Sequence, residues 1–219
     1  MTRITERTVL FADLRGSTAL FESLGNAEAT SVVTHCVNAV SGPVQALGGT
    51  VIKTLGDGLM AVFDEPRAAV EAAVDMHDKL DAIATRGSER GASSGLRALR
   101  LQVAMARGEV VEMAGDCYGY AVNVAARLLD HAGDNETLIT VEVMQELPLE
   151  TRARFRSLDR LVLRGRVEPV QVFVLGGRRR ASDGMPTQFS GVAQDFEPDG
   201  LRLTWTRTNR VFASQQMPV

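Results

Sequence analysis

Two aspartates stand where a polypeptide chain can present a carboxylate to a ligand. Asp13 follows the apolar run VLFA and precedes LRGST, which opens a predicted helix. Asp57 lies in the turn LGDG, between two apolar runs that are typical of a hairpin. Each has an ordinary structural explanation, because aspartate often caps helices and Asp-Gly often turns hairpins.

Together the two aspartates favour a metal site for a phosphorylated ligand. The first strand and the hairpin should be neighbours in one sheet, so the two carboxylates can converge. A helix that starts at Gly16, Ser17 and Thr18 offers free backbone N–H groups to phosphate. Mg²⁺ takes one or two carboxylates and fills its octahedron with phosphate oxygens and water. We therefore expect a two-magnesium site at Asp13 and Asp57.

A lysine interrupts the apolar run of the first hairpin strand. Regular alternation would place Lys53 on the side of Val51 and Leu55, opposite Ile52 and Thr54. Because an unpaired buried lysine is costly, Lys53 either protects a sheet edge or faces an acceptor. The residues leave both interpretations open.

The segment GYAVNVAARLLDHAG predicts an amphipathic helix over residues 119–131. Asn123 and Arg127, four positions apart, should stack an amide above a guanidinium on one face, which suits a hydroxyl and a phosphate. A solvated polar pair is the alternative. The predicted buried stripe consists of Val122, Ala125, Ala126 and Leu129.

The elements that must position these residues follow the order β, α, β, β, α, β. This order predicts an α+β fold, a ferredoxin-like βαββαβ core with an antiparallel sheet and helices on one face. Residues 26–46 should continue the first helix, and the stretch from Leu96 to Gly115 alternates like a strand pair. After the core we expect a strand near 137–140, a short helix at 141–147 and a hairpin over about 158–175.

Composition limits the classes of function. The chain has 219 residues, a net charge of -3 and 45% hydrophobic residues, which favours one globular domain and no nucleic-acid partner. It has neither a long apolar run nor a secretory signal, so we expect a cytoplasmic protein without a membrane partner. Cys36 and Cys117 should be free, packed thiols.

Three segments together resemble a known family. VLFADLRGSTAL, VIKTLGDGLMAVF and GDCYGYAVNVAARLLDHAG look like the three signature segments of class III nucleotidyl cyclases, in the same order. The resemblance covers about residues 5–176. It implies the class III cyclase fold and a catalytic domain over residues 1–176.

The resemblance also implies roles for individual residues. Asp13 and Asp57 match the two metal-binding aspartates of the family, which hold two Mg²⁺ or Mn²⁺ ions in each active site. Lys53 and Asp116 match the pair that recognises adenine.

The remaining matches concern the sugar and the phosphates. Asn123 matches the residue that orients the ribose, and Arg127 the one that stabilises charge on the α-phosphate. Either Arg164 or Arg166 matches a basic residue on the terminal phosphates.

By this resemblance the protein is an adenylate cyclase that converts ATP to 3',5'-cyclic AMP and pyrophosphate. Its sites are shared in a head-to-tail homodimer. The alternatives are a guanylate cyclase and a catalytically silent dimerisation or regulatory module. Guanylyl members typically carry a glutamate and a cysteine at the base-reading positions, and Cys117 lies one residue past the relevant place. A diguanylate cyclase would need a second acidic residue and an aromatic residue at the turn, where this chain has LGDGL.

The end of the chain differs from the rest in amino-acid composition. Residues 177–200 are typical of a linker, and 201–219 are strand-like but too short to bury a core. The segment 201–219 either docks on the main domain or starts a second, incomplete domain, and the second interpretation is favoured. LRLTWTRTNRVFASQQMPV weakly resembles the first strands of a forkhead-associated domain, which implies a regulatory domain beyond the C-terminus.

Overall fold

The first strand is a central strand of the sheet and pairs with a neighbour on each side. In the computed structural model, which describes residues 2–89, 96, 98–164 and 168–176, β1 (Arg3–Arg15) pairs antiparallel with β3 (Gly58–Phe63) and with β4 (Arg100–Met113). β2 (Thr50–Leu55) pairs antiparallel with β3. The resulting order β2-β3-β1-β4 is that of the split βαβ unit, so the predicted ferredoxin-like core is confirmed.

Three helices cover one face of this sheet: α1 (Ser17–Leu24), α2 (Asn26–Ala46) and α3 (Pro66–Glu89). α2 does not continue α1, because Gly25, with φ 77°, separates the two helices. The apolar stripe of α2 lies in the core as predicted, and its buried members are Val33, Cys36, Val37, Val40 and Val44.

A fourth helix, α4 (Tyr120–Leu129), covers the opposite face, so the expectation of helices on one face alone was incomplete. The predicted buried stripe of this helix was also wrong in part. The buried residues are Ala121, Val124, Ala125 and Leu128, whereas Val122, Ala126 and Leu129 are only partly buried. Packing on β1 and β4 decides which stripe is buried, and the helix is apolar over more than one stripe.

The remaining elements extend the sheet beyond β4. The stretch expected to form a strand pair contains one 14-residue strand, β4, which pairs with the short β5 (Asp116–Tyr118). β6 (Thr137–Thr140) runs parallel to β4, in an otherwise antiparallel sheet. The other elements are α5 (Val141–Glu146), α6 (Leu149–Arg152), β7 (Phe155–Leu161) and β8 (Val170–Leu175). The last hairpin thus begins three residues earlier than predicted.

The two cysteines are buried free thiols, as predicted. No helix in the described part of the chain is long and apolar enough to cross a membrane. The predicted linker, the strand-like segment 201–219 and Arg166 lie outside the described residues.

Candidate active site

The strand register brings the two aspartates together. Asp13 lies opposite Gly58 in the β1–β3 ladder, and the backbone N–H of Leu14 donates to the carbonyl oxygen of Asp57 at 3.2 Å. The two carboxyl groups lie close enough to interact electrostatically. A Cβ atom at Gly58 would lie 2.6 Å from the Ala12 carbonyl oxygen, so only glycine allows this approach.

The environment of Asp13 disfavours a second negative charge. Burial, then the neighbouring Asp57 carboxylate, raises the pKa of Asp13 from 3.8 to about 6, and Arg15 opposes part of this rise. Two carboxylates that share a site either share a proton or bind a cation.

The donor set at Asp13 and Asp57 fits a magnesium ion. It consists of carboxylate oxygens, which Mg²⁺ prefers. No group of three or more His, Cys, Asp or Glu side chains within the described ranges could hold a metal alone. A metal at this pair would therefore need further oxygens from water or from a phosphorylated ligand.

The start of α1 is attached to the same turn. Ser17, which is buried, donates from Oγ to Oδ2 of Asp57 at 2.6 Å. Gly16 has φ 89°, and a Cβ atom there would lie 2.8 Å from the carbonyl oxygen of Ala98. Thr18 is exposed. We predicted Ser17 as a phosphate donor, and its bond to Asp57 was missed because it joins segments 40 residues apart.

Lys53 and Asp116 form a second cluster. Nζ of Lys53 lies 2.8 Å from both carboxylate oxygens of Asp116, 63 positions away in the chain. The expected side of Lys53 was wrong in part, because Lys53 shares a face with Leu55 but not with Val51. A β-bulge between Val51 and Lys53 shifts the register, so Val51 opposes Ala61 and Lys53 opposes Met60, on the other face of the sheet.

Asp116 is held as a charged acceptor. The Lys53 ammonium and the backbone N–H of Cys117, which donates at 2.8 Å, lower the pKa of Asp116 below its usual range. The side chains of Lys53 and Asp116 are 39% and 29% exposed, so a ligand can reach the pair. Lys53 keeps a further N–H and Asp116 keeps unused lone pairs for such a ligand.

The other predicted residues lie on α4 and after β7. Asn123 is exposed and Arg127 is half-buried, one turn apart on α4. α4 follows β5 through Gly119, where a Cβ atom would lie 2.9 Å from the carbonyl oxygen of Glu109. Arg164 is exposed in the turn after β7.

Known proteins match this chain over the same region. Residues 1–177 match the family described as adenylate and guanylate cyclase catalytic domain. An uncharacterized protein of Mycobacterium tuberculosis is 34% identical over 175 residues, covering 79% of this chain and 42% of the relative. An adenylate cyclase of Anabaena cylindrica is 28% identical, covering 76% of this chain and 36% of the relative. This chain thus spans about two fifths of the length of these relatives.

A solved structure with a similar fold is also known. The crystal structure of the adenylyl cyclase CyaB from P. aeruginosa superposes with a TM-score of 0.70 at 24% identity, covering 82% of this chain and 98% of that chain. Because the family match extends over nearly all of the described residues, the chain belongs to the family of adenylate and guanylate cyclase catalytic domains.

Proposed function

We propose that this protein is an adenylate cyclase, which converts ATP to 3',5'-cyclic AMP and pyrophosphate. The observation that carries the choice of adenine is the ion pair between Lys53 and Asp116. Relatives named adenylate cyclase support the same reaction.

The ion pair has the donors and acceptors that adenine requires. Adenine presents an N6 amino donor next to the N1 acceptor, so an ionised Asp116 can accept from N6 while Lys53 donates to N1. Guanine presents O6 as an acceptor and N1–H as a donor, and Lys53 would face that donor with its own N–H. ATP is therefore the better substrate.

The catalytic groups fall into two sets that we assign to two protomers. Asp13 and Asp57, to which Ser17 donates, form one set, and the ion pair of Lys53 and Asp116 forms another. In a head-to-tail homodimer, each active site would take the aspartates from one protomer. The partner would supply the base-reading pair together with Asn123 and Arg127.

Each residue then has a chemical task in the cyclisation. When bound at Asp13 and Asp57, two divalent ions would activate the ribose 3'-hydroxyl and neutralise the phosphates. Asn123 orients the ribose, so that its 3'-oxygen lies in line with the α-phosphorus and the pyrophosphate leaving group. Arg127 donates to the α-phosphate, where negative charge develops.

The phosphates are held by groups around the start of α1. The backbone N–H groups of residues 16–18 face the triphosphate, since a helix start favours negative charge. Arg164 or Arg166 neutralises the terminal phosphates from the hairpin that follows β7.

The test is a product assay with purified protein. We incubate it with ATP or GTP and Mg²⁺ or Mn²⁺, and we expect cyclic AMP from ATP in large excess over cyclic GMP from GTP. A preference for cyclic GMP would indicate a guanylate cyclase. No product under any condition would favour a silent dimerisation module, and cyclic di-GMP would indicate a diguanylate cyclase.

Mixing two inactive variants tests the shared site. Asp57→Ala and Arg127→Ala should each be inactive alone, whereas a mixture should regain activity through heterodimers with one intact site. A mixture as inactive as its components would overturn the assignment to two protomers.

We also propose that a regulatory domain lies beyond the C-terminus of the catalytic domain. The weak resemblance of residues 201–219 to a forkhead-associated domain supports this proposal. Comparing turnover of the present chain with that of a longer form tests it.

A further inference from the structure

An arginine that the proposed reaction does not use lies beside the aspartate pair. Arg15 ends β1 two residues after Asp13, and the register places Arg100 directly opposite it on β4. Since side chains alternate along a strand and paired residues share a face, Asp13, Arg15 and Arg100 lie on one face of the sheet.

Like charges directly opposite each other in a sheet destabilise it, and an anion bound beside them offsets this effect. Arg15 has one carboxylate partner: its Nη1 donates to Oδ1 of Asp134 at 3.1 Å. The Asp134 side chain is 61% exposed, and an ion pair this exposed contributes little and exchanges easily with another anion.

We propose that Arg15 binds the terminal phosphates of the nucleotide, exchanging Asp134 for phosphate when the substrate enters, with Arg100 as the adjacent positive charge. The inference rests on the proposed function, because the ligand is the triphosphate that Asp13 and Asp57 would hold. Arginine suits this task, since its planar fork donates two hydrogen bonds to phosphate.

The position of Arg15 favours contact with the β- and γ-phosphates and not with the α-phosphate. Arg127 of the partner protomer meets the α-phosphate in the proposed site. Arg15 belongs to the protomer that supplies Asp13 and Asp57, and it directly precedes the helix start at Gly16. The β- and γ-phosphates are therefore the groups nearest to Arg15, which would share them with Arg164 or Arg166.

Asp134 acts as the competitor that holds Arg15 in place before substrate enters. Two hydrogen bonds connect the loop of Asp134 to β4. The side-chain amide of Gln102 donates to the Ala132 carbonyl oxygen, and the Leu101 backbone N–H donates to Oδ1 of Asn135 at 3.3 Å. Removing the charge of Asp134 should therefore release Arg15 without moving the loop.

The test measures binding of inorganic tripolyphosphate with Mg²⁺ by calorimetry, at fixed salt concentration. Arg15→Ala should weaken the affinity about tenfold or more, the range for a charged hydrogen bond. Arg15→Lys should keep part of the affinity, and Asp134→Asn should strengthen binding several-fold. Arg67→Ala, which removes a surface pair with Glu71 on α3, is the matched control and should change nothing.

Kinetics provide the second measurement. Arg15→Ala should raise the KM for ATP by about the factor lost in tripolyphosphate affinity, with a smaller change in kcat. If the wild type makes no cyclic nucleotide but binds tripolyphosphate through Arg15, the proposed function fails and this inference stands.

Unchanged tripolyphosphate affinity in Arg15→Ala would overturn the inference, as would a wild type that does not bind this anion. A thermal melt first establishes that each variant is folded. If Arg15→Ala does not fold, the tripolyphosphate affinities of Arg15→Lys and Asp134→Asn are the test. Unchanged affinity in both variants would then overturn the inference.

Discussion

The hydroxyl of Ser17 donates a 2.6 Å hydrogen bond to Oδ2 of Asp57, which joins the start of α1 to the tip of the β2–β3 hairpin. This bond orients one of the two carboxylates proposed to hold metal. The other, Asp13, is placed by the β1–β3 ladder. The proposed metal site thus depends on a helix and a hairpin that are far apart in sequence.

Removing this hydroxyl should weaken metal binding more than it weakens chemistry. In Ser17→Ala, Asp57 loses the donor that fixes its carboxylate, and losing a residue that orients a metal ligand typically costs about 10- to 100-fold in metal affinity. We expect the Mg²⁺ concentration at half-maximal activity to rise by about that factor. Activity measured against Mg²⁺ concentration, at saturating ATP, provides the measurement.

Ser23→Ala is the matched control on the same helix, because Ser23 Oγ donates to the Leu20 carbonyl oxygen and not to Asp57. It should leave the Mg²⁺ dependence unchanged. Equal shifts in both variants would mean that the effect comes from the helix and not from Asp57.

Neutralising Asp13 should stabilise the metal-free protein. Its folded pKa of about 6 lies above 3.8, so its contribution to stability is complete below about pH 4 and is lost as the pH rises through 6. Above that range the charged pair is unfavourable, and Asp13→Asn should raise the free energy of unfolding by about 1–2 kcal/mol after allowance for solvent screening. Urea unfolding at pH 7.5 with a chelator measures this.

Magnesium should reverse the order of stability. It should stabilise the wild type, whose two carboxylates are proposed to bind the ion, and should have little effect on Asp13→Asn. Asp75→Asn, at an exposed aspartate of α3, is the control and should behave as wild type. An Asp13→Asn variant that is less stable than wild type in chelator would contradict the account of the pair.

Lys53→Ala should reduce the discrimination between ATP and GTP. The variant loses a charged donor to adenine N1, which is worth about 1.5–3 kcal/mol, so kcat/KM for ATP should fall about 10- to 100-fold. Activity with GTP should fall less, because Lys53 meets a donor on guanine. Rates with both nucleotides provide the ratio.

Lys79→Ala serves as control, since Lys79 is an exposed lysine of α3. It should not alter either rate. An ATP-to-GTP ratio that stays unchanged in Lys53→Ala would remove the basis for assigning adenine.

Arg127→Ala should lower turnover while the dimer persists. Loss of one electrostatic donor to a transition state typically costs about 2.7 to 4 kcal/mol, or roughly 10² to 10³ in kcat. Arg127 is half-buried on α4 and does not belong to the buried stripe, so the fold should survive. Turnover at saturating ATP, together with the sedimentation behaviour, separates the two effects. An unchanged kcat would refute the role of Arg127.

His77 should make the fold sensitive to acid. Its Nε2 lies 2.9 Å from Oγ1 of Thr137, which links α3 to β6, and burial lowers the pKa of His77 from 6.5 to about 4. The neutral form is therefore favoured in the folded state. Stability from this group is complete above pH 6.5 and falls as the pH drops towards 4, by at most about 1.4 kcal/mol per pH unit.

Comparing the wild type with His77→Gln between pH 4 and 7 isolates this effect, because glutamine is neutral and can hydrogen-bond Thr137. Asp13 contributes with the opposite slope over part of this range, so the difference between the two proteins is the quantity to follow. If that difference does not vary with pH, His77 is not the acid-sensitive group.

Much of the fold could be predicted from local patterns. Alternating apolar residues predicted β1 and the hairpin, and the apolar stripe of α2 was correct because period and burial agree along a long helix. α4 was less predictable, since several of its stripes are apolar and packing on β1 and β4 selects one of them.

The sequence by itself determined which chemical groups are available: two aspartates at predicted chain turns, a lysine in an apolar strand, and an amide and a guanidinium one helical turn apart. These follow from residue type and short-range spacing, which the backbone period converts directly into a position on a strand or helix.

Only the tertiary structure decided which of these groups meet. The bulge after Val51 puts Lys53 on the face opposite Val51, where it pairs with Asp116. The contacts Ser17–Asp57 and Arg15–Asp134 likewise join segments that no local pattern connects. The physical reason is that strand register and helix docking are set by the packing of the whole core, and a shift of one residue moves a side chain to the other face of the sheet.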